Sequence, residues 1–137
     1  LAAVLDESVS GEPYVIEGDL IDLFDPALPV CTSRTVRPGE QALLLNIGRV
    51  KNKRQPQVLA AASRTYDEKS DKRSYSFVAK SPVNTTNVSR VLLPAQPVSV
   101  TVNGEEKLNE NAWDARTRTY LLQFENDPDG VAVRFAW

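Results

Sequence analysis

The sequence predicts an all-β chain: an antiparallel two-sheet β-sandwich, Ig-like or jelly-roll-like. Three observations carry that expectation. Short runs of alternating apolar and polar residues recur, separated by turn signals at intervals of roughly 8–12 residues. Gly, Pro, Asn and Asp cluster between these runs, where tight turns need them. No helical pattern of about ten residues or more separates the runs, as a parallel α/β fold would require. The runs add up to about eight or nine strands.

Residues 1–13 mix small apolar and polar types and end in a Gly-Glu-Pro turn signal, which reads as a linker or a short lead-in strand. A single domain over 14–137 is expected to follow. Residues 14–24 are the first clear strand. Their mixed parity fits a strand covered in part on both faces, or one bulged near Gly18. Asp25-Pro26 and Leu28-Pro29 break regular structure, and Cys31 falls in the irregular stretch after them. Arg37-Pro38-Gly39-Glu40 is a turn into strand 41–47. Residues 58–66 read as one strand rich in small residues, joined through a charged connection, 67–74, to a return strand at 75–79. Residues 88–93 form the next strand and end at Pro94.

The clearest patterns lie near the C-terminus. In 98–102, Val98, Val100 and Val102 alternate with Ser99 and Thr101. Asn103-Gly104 follows at once, the strongest short hairpin signal, because both residues accept the positive φ of a type I′ turn. A weak strand is expected within 105–113. In 117–124, Tyr120, Leu122 and Phe124 share the inward face. Residues 126–130 are dense turn chemistry, and 131–137 place Val131, Val133, Phe135 and Trp137 on one face.

With 137 residues, 42% hydrophobic and 25% charged, the composition is ordinarily globular. The net charge of −2 points to no nucleic-acid partner. No apolar run approaches the roughly 18 residues of a membrane span, and no signal peptide pattern opens the chain. The chain starts at Leu1 and contains no Met. That reads as a processed chain or a piece of a longer one, whose last strand ends at Trp137.

The chain has no His and one Cys. Imidazole acid–base catalysis, an internal disulfide and a thiolate zinc site fall away with them. Glu17 and Asp19 share strand parity, at about the spacing two glycosidase carboxyls need. Without aromatics beside them they read as a solvated face. The loop 125–130 carries oxygen ligands of the kind calcium takes, but the same residues serve any tight turn. No catalytic residue, metal or cofactor is therefore expected. The candidate binding residues are aromatic. Trp113 near a turn, with Asp114 and Arg116 beside it, and Tyr66 at the charged hairpin are the rings a sugar would stack on. The rival reading packs both rings against the core.

Two stretches, 58–104 and 113–135, carry a resemblance. They contain VSVTVNG and WDARTRTY. They resemble the C-terminal β-sandwich domains appended to secreted bacterial glycoside hydrolases and related polysaccharide-utilisation proteins. In those, an x-V-x-V-N-G hairpin is followed by aromatic-D-x-x-T-x-T-hydrophobic and a closing strand. The resemblance implies a non-catalytic accessory domain packed on an adjacent domain of a larger parent chain. It also implies a secreted, periplasmic or cell-surface location. The alternatives are a carbohydrate-binding module with polysaccharide as partner, and an Ig-like cell-surface interaction domain.

Overall fold

The structure, a computed structural model, describes residues 1–5 and 11–137. The central part of the expected lead-in, 6–10, lies outside the described residues. The described chain is all-β and antiparallel, with three open sheets. It holds thirteen strands where about eight or nine were expected. Among the described residues no helix is long and apolar enough to cross a membrane.

By its contacts the chain divides into two compact units, Leu1–Lys51 and Asn52–Trp137. The division falls at 51/52, whereas the sequence reading set a boundary at 13/14. The first unit is one sheet in the order β1-β4-β2-β3, formed by β1 (Ala2–Leu5), β2 (Tyr14–Asp22), β3 (Val30–Val36) and β4 (Gln41–Asn46). Leu20, Val36, Ala42 and Leu44 form its core, with Ile16 and Cys31 packed against it. The pairing of β2 with β3 shifts between Glu17 and Leu20, around Gly18 at φ +137°. Beyond this bulge the adjacent Leu20 and Ile21 are both fully buried, so both faces of the strand are covered. Cys31 lies inside β3, a strand where the sequence reading expected irregular chain.

The second unit has two sheets. One is five-stranded, ordered β10-β9-β13-β7-β6; the other is four-stranded, ordered β11-β12-β8-β5. The strands are β5 (Gln57–Ala61), β6 (Arg64–Ser70), β7 (Ser74–Lys80), β8 (Thr86–Leu92), β9 (Ser99–Val102), β10 (Glu105–Glu106), β11 (Trp113–Asp114), β12 (Thr119–Glu125) and β13 (Val131–Ala136). Inward residues of both sheets meet in one cluster. Tyr75, Phe77, Val133 and Phe135 come from the larger sheet, and Val91, Tyr120 and Leu122 from the smaller. The Tyr120 and Phe135 rings meet edge-on at 5.5 Å, a favoured aromatic geometry.

Several sequence expectations change here. The run 58–66 is two strands in different sheets, because the chain crosses between them at Ala62-Ser63. Residues 67–70 of the expected charged connection belong to β6, and the turn proper is Asp71-Lys72-Arg73, whose backbone N–H at Arg73 donates to the Asp71 carboxylate at 2.7 Å. Val98 is 73% exposed, not inward, since β9 begins one residue later. The weak strand in 105–113 is two short strands, β10 and β11, in different sheets. The Asn103-Gly104 hairpin is as predicted. Glu105 pairs with Val102, and the two turn residues have φ of +50° and +79°.

Candidate functional site

The four expected binding residues fall at two places. Trp113, Asp114 and Arg116 sit on β11 and the turn after it, at one edge of the four-stranded sheet. Tyr66 sits on β6, at an edge of the five-stranded sheet. They do not share one site.

At the first place Trp113 is half-buried and packs against the core cluster, paired with Tyr120. The Asp114 carboxylate is used within the turn. One oxygen accepts from the Arg116 backbone N–H at 3.0 Å, and the other from the Thr117 hydroxyl at 3.0 Å. The buried Thr117 and Thr119 hydroxyls meet at 2.8 Å. Arg90 on β8 is also buried. Burial pulls its guanidinium pKa down, and the negative charge of Asp114 opposes that shift. Asp114 is thus a turn-capping group and the counter-charge of a buried arginine. At the second place Tyr66 is 42% exposed, and the Lys80 ammonium lies 5.8 Å from its ring centroid.

The other acidic stretches resolve into local structure. In 125–130 the Asp127 carboxylate accepts from the Asp129 backbone N–H at 2.8 Å, and the Gly130 N–H bonds the Asp127 carbonyl at 3.1 Å. Among the described residues no three His, Cys, Asp or Glu side chains gather as a metal set. Asp22 pairs with Arg34 at 3.5 Å. The Cys31 thiol pKa is pushed up, first by burial and then by Asp22, away from the thiolate form a nucleophile needs.

A feature absent from the sequence reading lies along β12. A cleft of about 570 Å³ opens between its C-terminal half and the β9–β10 hairpin. Val102, Phe124 and Val131 give it apolar lining, and Asn103, Glu105 and Lys107 are on the hairpin side. A second cleft of about 340 Å³ lines Tyr120–Gln123 and the segment around Asn109. Lys107 and Gln123 line both clefts. Phe124 had been assigned simply inward, and it is only half-buried there. Asn103 had been read as a turn residue alone.

Comparison with protein-family models, curated proteins and solved structures found no match. The chemistry of the site therefore carries the functional reading.

Proposed function

We propose that Asn52–Trp137 is a two-sheet β-sandwich, and that the chain is a non-catalytic accessory part of a secreted bacterial glycan-processing protein. Its partner in this reading is an adjacent domain of the parent chain. The observation that supports a structural role is the internal use of the expected binding groups. Both Asp114 oxygens hold the β11–β12 turn, and Trp113 packs on the core beside Tyr120. A sugar platform needs a ring face and polar groups turned outward together. Here the polar group nearest Trp113 is already bonded. The carbohydrate-binding alternative keeps Tyr66, whose exposed ring has Lys80 as its cationic neighbour.

Trp113→Ala separates the two readings. In the accessory reading it removes about 2–4 kcal/mol of stability as a large-to-small change at a half-buried site, and leaves retention on insoluble polysaccharides unchanged. Wild-type retention that disappears in a Trp113→Ala protein of unaltered urea midpoint would move the assignment to a carbohydrate-binding module. Release of reducing sugar by the purified chain would overturn the non-catalytic reading.

A further inference from the structure

We propose that the outer face of the five-stranded sheet binds a carboxylate-bearing polysaccharide, with one uronate carboxylate between Lys69 and Arg134 and a neighbouring sugar ring on Tyr66. The inference rests on the carbohydrate-binding alternative and moves its site away from Trp113.

Strand register assembles the face. Thr101 on β9, Arg134 on β13, Ser76 on β7 and Lys69 on β6 pair in turn and form one row across the sheet. Ala132, Val78 and Tyr66 form the adjoining row, about 7 Å away along the strands. In β7, β9 and β13 these residues alternate with the core residues Phe77, Val100, Val102 and Val133, so both rows face away from the core. Tyr66 and Lys69 are three residues apart, and an unbroken strand would set them on opposite faces. The register of β6 on β7 shifts between them, with Asp67 at φ +52°. Tyr66 comes to lie opposite Val78 and Lys69 opposite Ser76, both on the outer face.

A cleft of about 350 Å³ lies over these rows, a volume within the range of small-ligand sites. Lys69, Ser76, Thr101 and Arg134 line it, with Asp67. Ser76 stands between the two cations, whose strands lie about 10 Å apart across β7. A short side chain between two long ones leaves a hollow in which both can reach one anion.

The charge of the cleft selects that anion. Among the described residues neither Lys69 nor Arg134 forms a salt bridge. Asp67 opposes them within the lining. Asp71 feels the Arg134 charge, but its carboxylate already accepts from the Arg73 and Ser74 N–H groups. Glu106, across from Thr101, is likewise held by the Val100 N–H and the Ser99 hydroxyl. Two cations against one lining carboxylate leave a single net positive charge. That suits a singly charged carboxylate, which the Arg134 fork can grip in its plane, and not a run of nucleic-acid phosphates.

The face offers side chains alone. β7 and β13 are each paired on both sides, so a peptide would find no ladder to join there. A uronate chain matches each group present. Its carboxylates meet Lys69 and Arg134, its hydroxyls meet Ser76 and Thr101, and its apolar C–H face meets the Tyr66 ring, which is 42% exposed. The Lys80 ammonium, 5.8 Å from that ring, adds positive charge beside it.

The test titrates the 15N-labelled full chain with a tetramer of galacturonic acid and with a tetramer of glucose. The acidic tetramer should bind saturably and shift the Lys69, Ser76 and Arg134 amides, and the neutral one should bind at least about tenfold more weakly. Lys69→Gln and Arg134→Gln should each weaken binding about fivefold at low salt, with urea midpoints unchanged. Tyr66→Ala should weaken it by a similar factor, whereas Tyr66→Phe keeps the ring and the affinity. Lys107→Gln makes the same change in net charge away from this face and should leave binding as it is. Equal binding of both tetramers, lost in Tyr66→Ala, would overturn the acidic ligand and leave the carbohydrate-binding alternative standing. Binding of neither would remove both. Equal losses in Lys107→Gln and Arg134→Gln, or equal affinity for a single-stranded ribo-oligonucleotide of the same charge, would also overturn the proposal, because general attraction of anions would then explain the binding.

Discussion

Individual residues show how backbone conformation and available space act separately. Gly104 and Gly130 both hold positive φ, +79° and +110°. A Cβ at Gly104 meets nothing within 4 Å, whereas one at Gly130 falls 2.8 Å from Cγ1 of Val78. Gly104→Ala should therefore cost about 1 kcal/mol, the conformational penalty alone. Gly130→Ala should cost clearly more, because the half-buried Val78 side chain must shift as well. Urea midpoints of the two variants check the order, and a less stable Gly104→Ala protein would contradict it. Cys31 gives a second residue-level expectation. Its thiol pKa is raised by burial and Asp22, so alkylation by iodoacetamide at neutral pH should be slower in the native chain than in urea. Equal rates would show that the thiol is open to solvent.

At the scale of elements, the corner between β5 and β6 joins the two sheets of the second unit. Asn87 and Ser89 on β8 are fully buried, on the parity of the core residue Val91. The Ser89 hydroxyl donates to Asn87 Oδ1 at 2.6 Å, and Asn87 Nδ2 donates to Ser63 Oγ at 2.6 Å. The Ala62 N–H bonds the Val88 carbonyl at 3.1 Å at the same corner. Asn87→Ala should cost about 1–3 kcal/mol, since it leaves hydroxyl groups unsatisfied in a buried place. An unchanged thermal midpoint would refute that account. The same corner shows what a sequence hides. The change of sheet at Ala62-Ser63 carries no Gly or Pro turn signal within the small-residue run 58–66, so two strands read as one. β3 escaped notice because Val-Cys-Thr-Ser-Arg-Thr-Val follows a Pro and is only half-covered at a sheet edge. In contrast, β9, β12 and β13 were legible, because each sets one face on the core and each adjoins strong turn chemistry. Of the candidate site, Trp113 and Asp114 were legible as an aromatic beside a carboxylate. Packing of the Trp113 ring on the core was one of the two readings, but the internal use of Asp114 was not legible, because it depends on Arg90 and Thr117, brought there by pairing and turn.

At the scale of the whole molecule, the distribution of titratable groups sets the dependence of stability on pH. The chain has no His, so no imidazole changes charge between about pH 5 and 8. On the acid side, two carboxylates bind structure. Glu106 accepts from the Val100 N–H at 2.9 Å and the Ser99 hydroxyl at 2.7 Å, latching the start of β9. Asp71 accepts from the Arg73 and Ser74 N–H groups at 2.7 and 2.8 Å. Both pKa values are lowered, chiefly by these backbone hydrogen bonds. A depressed native pKa gives stability that is present above the unfolded value, near about 4, and is lost as pH falls through the native one. On the alkaline side the relation reverses. Burial raises the pKa of Tyr75 and of Tyr120 above the usual phenol value. Their contribution is complete below about pH 10 and is lost as pH rises through the raised values. The urea midpoint should accordingly be flat from about pH 5.5 to 8 and fall on both sides. Glu106→Gln should make the acid limb shallower, because the amide keeps an acceptor oxygen but no longer titrates. A midpoint that moves steadily through neutral pH, or an acid limb unaltered in Glu106→Gln, would show that other groups govern the profile.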